Sequence, residues 1–333
     1  MCMKTDTSIN QSNTIIDTNG RQVLYIAADG KLEVLKKYAG SADELHVRNA
    51  NGWKLLHCAA AGGHLEVVKA IVEITSKTIK GSQINEPADE GLTALHLAAQ
   101  QGHLRVAEYL ESQGAYIYST DYSGYTPLHL ASEKNHPDVV RFLIDKGTSV
   151  NVLGRSKKTP LYLAAENGAN DSLEVLLEHS ANPNLGLDDN WPIYAAIRIN
   201  NIEAVNLLAK KMINLDGTDD LPKTTPLHEA IKYKFLEAIE ILVRAGADLY
   251  KEAYCKGSPL VYAAKHPPCE NFFKLLNTWG VRIPIDVFKG CLDKYQDEGS
   301  YLTQQLKAAA QEIMEVYDDV NLMGAKEVEG VVA

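Results

Sequence analysis

The stretch Thr126-Pro127-Leu128-His129 decides the fold of this chain, because variants of the same tetrapeptide recur along the sequence. The fourth residues of the copies lie at positions 25, 57, 96, 129, 162, 194, 228 and 261. The intervals between them are 32, 39, 33, 33, 32, 34 and 33 residues. A period of this length over eight copies indicates a repeat protein, in which each unit stacks on its neighbours.

The residues around the tetrapeptide predict two helices in each unit. Thr126 suits a helix N-cap because its hydroxyl can accept a backbone N–H of the first turn. Pro127 suits the first helical position, where no N–H is needed. A turn such as Gly102-His103 follows, then an amphipathic run such as residues 104–110, then a closing turn such as Gly114-Ala115. Each unit therefore reads as helix, turn, helix and hairpin-like loop.

These motifs resemble those of the ankyrin repeat, and the resemblance covers about residues 21–283 as eight units. It implies an all-α solenoid of stacked helix-turn-helix units with projecting loops. It also implies that the histidines that close the tetrapeptide, and those that open the second helix, hydrogen-bond to neighbouring loops and brace the stack. In this family the loop tips and the inner faces of the first helices form a concave groove that recognises partner proteins.

Two parts of the chain depart from the regular period. Six extra residues lie between the second and third units, within about residues 74–83, and should lengthen either the second helix or the following loop. Such an insertion is either a neutral surface feature or a partner contact. Pro267-Pro268 interrupts the eighth unit where one helix should turn into the next.

The segments outside the repeats have their own expectations. Residues 1–20 are polar and are expected to be disordered. Residues 284–322 are expected to form a helical pair that caps the last repeat, because apolar residues from Leu302 to Val320 form one helical stripe. A short coiled coil or a partner-binding helix is the alternative for this pair. Residues 323–333 are expected to be a mobile tail.

Composition narrows the classes of partner. The formal net charge of −10 disfavours nonspecific binding to nucleic acid and a polybasic membrane anchor. No apolar stretch suggests a membrane span or a signal peptide. The five scattered cysteines suit reduced thiols in the cytosol rather than a disulfide framework. We therefore expect a cytoplasmic protein that is a monomer on its own.

Motifs for chemistry were not found in the sequence. It has no HExxH motif or Cys/His cluster for a metal, no glycine-rich phosphate loop and no GxSxG elbow. Acidic pairs fall in predicted loops. We therefore expect no catalytic residue, no metal ligand, no cofactor and no enzymatic activity.

The groove that the resemblance implies is formed by loop tips and first helices, so the candidate partner-binding residues are those at the loop tips and at the ends of the first helices. Four tyrosines, at 116, 118, 122 and 125, crowd the loop between the third and fourth units, where the family usually has small or polar residues. Tyrosine is enriched in binding hot spots, although some of the four could instead pack on neighbouring loops. The full candidate set is Tyr116, Tyr118, Tyr122, Ser123, Tyr125, Glu133, Lys134, Arg155, Ser156, Lys158, Glu166, Asn167, Asp188, Asn190, Arg198, Lys232 and Tyr233.

The leading functional hypothesis is a protein-binding adaptor or scaffold. An ankyrin-repeat subunit or inhibitor of an enzyme complex is the alternative, and a cryptic enzyme is disfavoured. A weaker compositional resemblance, to ankyrin-repeat effectors of intracellular bacteria, implies action in the cytosol of a host cell.

Overall fold

The structure is a computed structural model that describes residues 21–38, 47–78, 83–186, 191–212, 214–217, 224–254, 257–265, 275–276, 278–279 and 281. Within these ranges the chain forms α-helices, one 3₁₀ turn at Gln83–Asn85, and no β-sheet beyond a single bridge between Ala253 and Gly257. The all-α prediction is confirmed. In chain order the helices are α1 (Arg21–Ala28), α2 (Leu32–Tyr38), α3 (Leu55–Ala61), α4 (Leu65–Thr78), α5 (Ala94–Gln100), α6 (Leu104–Ser112), α7 (Pro127–Glu133), α8 (Pro137–Asp145), α9 (Pro160–Asn167), α10 (Asn170–Glu178), α11 (Pro192–Arg198), α12 (Ile202–Lys211), α13 (Pro226–Tyr233), α14 (Leu236–Arg244) and α15 (Pro259–Lys265).

The chain divides into two compact units, residues 1–122 and residues 123–333. In the first unit, α1, α3 and α5 pack side by side, and α2, α4 and α6 form the second row. In the second unit, α7, α9, α11, α13 and α15 pack in chain order, with α8, α10, α12 and α14 behind them. The stacked helical pairs that the period predicts are therefore present in both units.

Small and branched apolar residues build the core between these rows. Each first helix carries a leucine with almost no exposed surface, such as Leu95 or Leu161, except α11, where Ile193 takes this place; buried alanine follows in each case. Each fully buried leucine side chain contributes roughly 1.5–3 kcal/mol of transfer free energy. The alanines have no side chain beyond Cβ, so neighbouring first helices approach closely.

The tetrapeptide forms a capping box in which histidine replaces the usual Glu or Gln. The backbone N–H of Thr93 donates to Nδ1 of His96 at 3.2 Å, and the backbone N–H of His96 donates to Oγ1 of Thr93 at 3.4 Å. The backbone N–H groups at both ends of the first turn therefore have hydrogen-bond acceptors. The N–H to Nδ1 bond recurs from Lys54 to His57, from Thr126 to His129 and from Thr225 to His228.

The other ring nitrogen of His57, His129 and His228 bonds to the next repeat. Nε2 of His57 lies 3.1 Å from the carbonyl oxygen of Glu86, and Nε2 of His129 lies 3.3 Å from that of Lys158. Because Nδ1 accepts from a backbone N–H, the ring is neutral and its proton sits on Nε2, which donates to the carbonyl. The expected bracing of the stack by these histidines is confirmed.

The insertion after the second repeat lengthens a helix. Helix α4 has 14 residues, whereas α6, in the same place in the next repeat, has 9. This outcome matches the first of the two expectations for residues 74–83; residues 79–82 lie outside the described ranges. The predicted disordered segment 1–20, the capping pair 284–322, the tail 323–333 and Pro267-Pro268 also lie outside them.

Candidate functional site

Three tyrosines of the first unit project from residues 114–122, which we call the tyrosine loop. Tyr116 is 66% exposed, and Tyr118 and Tyr122 are each 62% exposed. Ala115 and Ile117, on either side of Tyr116, are buried. These two apolar side chains anchor the start of the loop, so the alternating rings of Tyr116 and Tyr118 face solvent.

Asn85 fixes the start of the tyrosine loop from the repeat before it. Its Oδ1 atom accepts a hydrogen bond from the backbone N–H of Tyr116 at 2.7 Å, and its Nδ2 atom donates to the carbonyl oxygen of Gly114 at 2.9 Å. Ser119 closes the following turn by donating its hydroxyl to the carbonyl oxygen of Tyr116 at 2.7 Å. The loop is thus held by side-chain bonds to its own backbone, so the rings are displayed from an ordered support.

Tyr118 stands at a position that is structural elsewhere in the chain. Asn85 lies 33 residues before it and Asn151 lies 33 residues after it. Each of those asparagines accepts a backbone N–H from the loop that follows, Asn85 from Tyr116 and Asn151 from Asn182. In the third repeat this bracing amide is replaced by an exposed aromatic ring.

A cavity lies beside Tyr122 at the loop tips of the first unit. Its volume is about 520 Å³, and its lining residues are Arg48, Glu86, Pro87, Ala88, Asp89 and Tyr122. This volume falls within the range of small-ligand pockets.

Two of the lining residues are held at fixed places. The backbone N–H of Tyr122 donates to the carbonyl oxygen of Glu90 at 3.0 Å, and that of Asp89 donates to the carbonyl oxygen of Asn51 at 3.2 Å. Glycines admit both side chains: a Cβ at Gly91 would lie 2.8 Å from Cδ1 of Tyr122, and one at Gly52 would lie 2.2 Å from Oδ1 of Asp89.

Tyr125, the fourth tyrosine of the predicted cluster, belongs to the second unit and is half-buried. Its ring centroid lies 5.0 Å from that of His129, and a Cβ at Gly154 would lie 2.5 Å from its Cε1 atom. Its hydroxyl lies 3.2 Å from Oγ of Ser156. Tyr125 therefore packs on its neighbours, unlike the three tyrosines of the first unit.

Candidate charges of the second unit are engaged in ion pairs with one another. Nζ of Lys158 lies 2.7 and 2.8 Å from the two carboxylate oxygens of Glu166 and 4.8 Å from the ring centroid of Tyr162. Burial opposes the charge on Lys158, but hydrogen bonding with Glu166 together with the electrostatic effects of Tyr162, Glu166 and Tyr125 outweighs burial and raises the pKa of Lys158. Nζ of Lys134 pairs with Glu133 at 2.7 Å.

The seventh repeat has a similar arrangement. Nζ of Lys232 lies 3.3 Å from Glu229 and 4.8 Å from the ring centroid of Tyr233. Tyr233, which is exposed, stacks on Phe235 at 5.7 Å.

The remaining predicted residues are at helix ends or loop tips. Arg198 ends α11 and is exposed, and Asn167 ends α9, where its Nδ2 atom donates to the carbonyl oxygen of Leu163 at 2.9 Å. Arg155 donates its backbone N–H to the carbonyl oxygen of Ser123 at 3.0 Å, which joins two loop tips of the second unit. Asp188 and Asn190 lie outside the described residues.

Two titratable groups of the first unit, His57 and Cys58, lie in the core. Burial lowers the pKa of His57 from 6.5 to about 4, and burial raises the pKa of Cys58 to about 12. Among the residues that the structure describes, no group of three or more His, Cys, Asp or Glu side chains could hold a metal ion. In the same ranges, no helix is long and apolar enough to cross a membrane.

Sequence reasoning found the exposed tyrosines but missed the residues that position them. Asn85 and the cavity were absent from the candidate set. The signal was available for Asn85, because asparagine recurs at positions 85, 151 and 184 in the same phase of the period and only position 118 between them breaks the series. The cavity has no such signal, since it forms between tips contributed by successive repeats.

Comparison with known proteins agrees with the architecture. A family model described as ankyrin repeats (three copies) matches residues 23–121, 113–186 and 184–253. The matched stretches together cover more than half of the chain. They extend into both compact units, and the second match covers the whole tyrosine loop.

Curated relatives are similar over shorter stretches. The Homo sapiens protein "Ankyrin repeat and SOCS box protein 3" is 32% identical over 89 residues, 27% of this chain and 17% of that protein. The Homo sapiens "Ankyrin repeat domain-containing protein SOWAHD" is 34% identical over 86 residues, 25% of this chain and 27% of that protein. The Mus musculus "Glutaminase liver isoform, mitochondrial" is 32% identical over 91 residues, 27% of this chain and 14% of that protein. The matched stretch thus spans less than a third of each relative.

Proposed function

Since the chain belongs to the ankyrin-repeat family, we propose that it is a protein-binding adaptor or scaffold that recognises its partner through the tyrosine loop and the inner faces of its first helices. Ankyrin repeats are protein-interaction modules, and one relative is named for ankyrin repeats joined to a SOCS box. Recognition by an ordered surface, without covalent chemistry, is the mechanism of the proposal.

The observation that carries the proposal is the exposure of Tyr116, Tyr118 and Tyr122 on a loop that Asn85 holds in place. Exposed apolar patches commonly mark protein-interaction sites. Tyrosine supplies wide contact area with few rotatable bonds, so little conformational entropy is lost when a partner covers it. An ordered loop lowers that loss further.

The charged candidates of the second unit support a secondary role. Lys158 and Glu166 already satisfy one another, as do Lys232 and Glu229. A partner that covered these pairs would have to remove water from them without supplying a missing counter-charge, which yields little net affinity. We assign them to steering and orientation, which act mainly on the association rate.

The experiment is affinity capture with the immobilised full chain, using a cytosolic extract because the scattered cysteines suit a reducing compartment. A eukaryotic extract comes first, since the effector hypothesis places the chain in a host cell. The test variant carries Tyr116→Ala, Tyr118→Ala and Tyr122→Ala together. Tyr254→Ala is the matched control, because Tyr254 is 64% exposed and lies in the second unit.

The proposal expects a protein that the wild type and the Tyr254 control capture equally and that the triple variant loses, with circular dichroism showing that all three are folded. Equal capture by the folded triple variant would move the site away from the tyrosine loop. Failure of every form to retain any protein from eukaryotic and bacterial extracts would count against the adaptor function itself.

A further inference from the structure

We propose that the cavity beside Tyr122 receives an arginine or lysine side chain of the partner, so that the partner contacts this chain through a basic segment. The inference rests on the proposed protein-binding function and adds the chemistry of the bound segment.

Charge around the cavity selects the occupant. The charged residues at the cavity are the lining residues Arg48, Glu86 and Asp89, the Glu86 partner Lys54, and Glu90 and Asp121, which adjoin Asp89 and Tyr122 in sequence. These four carboxylates and two cations have a formal net charge of −2. A group with this balance attracts cationic groups and repels anionic ones over a Debye length of about 8 Å at physiological salt.

Within the cavity, Asp89 is the carboxylate that remains for an incoming cation. Glu86 is ion-paired with Lys54, whose side chain is only 7% exposed. The negative charge of Glu86 is therefore largely compensated. Asp89 is exposed, and no described residue forms an ion pair with it. Its carboxylate is positioned over Gly52 and its backbone is bonded to Asn51, so it is presented in a fixed place.

Tyr122 supplies the second element of recognition. The exposed ring of Tyr122 and the side chain of Asp89 both line the cavity. A cation over an aromatic face is attracted by the negative face of the ring, and the planar guanidinium of arginine stacks there while pairing with a carboxylate. An aromatic face and a carboxylate in one cavity therefore favour arginine over lysine.

Among the lining residues that the structure describes, Arg48 is the one cation, and it provides a diagnostic for the sign of the occupant. If the cavity receives a cation, Arg48 repels it, and Arg48→Ala should strengthen binding or leave it unchanged. If the cavity instead receives a carboxylate, Arg48 is its partner, and Arg48→Ala should weaken binding.

The experiment measures fluorescence anisotropy of three labelled 12-residue peptides, identical in their Gly and Ser positions and carrying three arginines, three lysines or three glutamates. The full chain is titrated up to about 1 mM, a level that detects even weak contacts. We expect the arginine peptide to bind more tightly than the lysine peptide, and the glutamate peptide not to bind. Asp89→Asn and Tyr122→Ala should each weaken the arginine peptide at least about fivefold. Tyr254→Ala and Glu237→Gln, both in the second unit, should have no effect.

Three results would overturn the inference: no binding of the arginine peptide, binding that neither Asp89→Asn nor Tyr122→Ala weakens, or preferred binding of the glutamate peptide that Arg48→Ala abolishes. The proposed function fails separately. If the arginine peptide fails while a captured protein still depends on the three tyrosines, the cavity chemistry is wrong and the adaptor function stands. If the peptide binds as expected and no protein depends on the tyrosines, the cavity binds cations but the adaptor proposal fails.

Discussion

Oδ1 of Asn85 accepts the backbone N–H of Tyr116 at 2.7 Å, which ties the loop of the third repeat to the repeat before it. The same amide donates Nδ2 to the carbonyl oxygen of Gly114 at 2.9 Å. One side chain therefore spans the start of the segment from which three exposed tyrosines project. The orientation of those rings therefore depends on the hydrogen bonds of Asn85.

Replacing Asn85 with Ala should weaken partner binding about fivefold while leaving the tyrosines in place. The loop would lose two hydrogen bonds and would have to be ordered on binding, which costs affinity. Stability should fall by about 1–2 kcal/mol. The measurement is the dissociation constant for the captured partner, together with urea unfolding.

Asn151→Ala is the matched control for that substitution, since Oδ1 of Asn151 accepts the backbone N–H of Asn182 at 2.8 Å in the second unit. It should lower stability similarly and leave the dissociation constant unchanged. Equal loss of affinity in both variants would mean that general destabilisation, and not loop order, controls binding.

Acid should destabilise the chain through His57. Its folded pKa, about 4, lies below the ordinary value of 6.5, so the unfolded chain binds more protons between these pH values. Stability is therefore complete above about pH 6.5 and falls as the pH drops through the window to about 4, by up to roughly 3 kcal/mol from this residue. Urea unfolding at pH 7.0, 5.5 and 4.5 measures the slope.

His57→Gln is the control for the acid effect, because Gln can still cap the helix through its side-chain oxygen but does not titrate. The variant should be less stable at pH 7 and should lose stability less steeply on acidification. An identical slope in the variant would assign the acid sensitivity to other groups.

Gly63→Ala should destabilise the first unit more than Gly114→Ala. Both glycines have a positive φ, 75° and 91°, so each substitution has a left-handed strain of about 1 kcal/mol. A Cβ at Gly63 would also lie 2.6 Å from ring atoms of His103, whereas nothing lies within 4 Å of a Cβ at Gly114. His103 would have to move, which breaks its 3.0 Å bond to the carbonyl oxygen of Ala61.

We expect the difference between these two glycine variants to be at least about 1 kcal/mol, the net value of one hydrogen bond. Thermal unfolding of both purified variants provides the comparison. A Gly63 variant as stable as the Gly114 variant would show that the ring of His103 is not held where the structure has it.

Cys58 should resist alkylation in the folded protein. Its thiol is buried and burial raises its pKa to about 12, so almost no reactive thiolate is present at neutral pH. The protein is treated with iodoacetamide with and without roughly 6–8 M urea, which unfolds it. Mass spectrometry of the peptide that contains Cys58 should then show labelling only in urea. Rapid labelling without urea would place the thiol at the surface.

The fold was readable from the sequence because a single tetrapeptide determines so much local structure. Thr93 and His96 form one capping box, and the free ring nitrogen of the equivalent His57 reaches the next repeat. The spacing of these residues therefore reports both helix starts and stacking. The sequence could not tell whether the six extra residues lengthen α4 or the loop after it, because either change lengthens the period equally.

The candidate site was less readable, for a physical reason. The sequence grouped Tyr125 with Tyr116, Tyr118 and Tyr122, yet Tyr125 packs against His129 and Gly154. Its position, one residue before the helix N-cap, differs from that of Tyr116 and Tyr118, which alternate with buried Ala115 and Ile117. Which side of a loop faces its neighbours depends on backbone geometry, and residue type alone does not report it.

The central claim, that the exposed rings of the tyrosine loop carry partner binding, is tested most directly by the dissociation constant of the captured partner for four forms of the chain: wild type, Tyr118→Ala, Tyr122→Ala and Tyr254→Ala. Aromatic residues in a desolvated contact often cost 2 kcal/mol or more when truncated to alanine. We expect Tyr118→Ala and Tyr122→Ala each to weaken binding at least about tenfold, or roughly 1.4 kcal/mol, and Tyr254→Ala to leave it unchanged. Unchanged affinity of both loop variants, with circular dichroism showing them folded, would contradict the central claim.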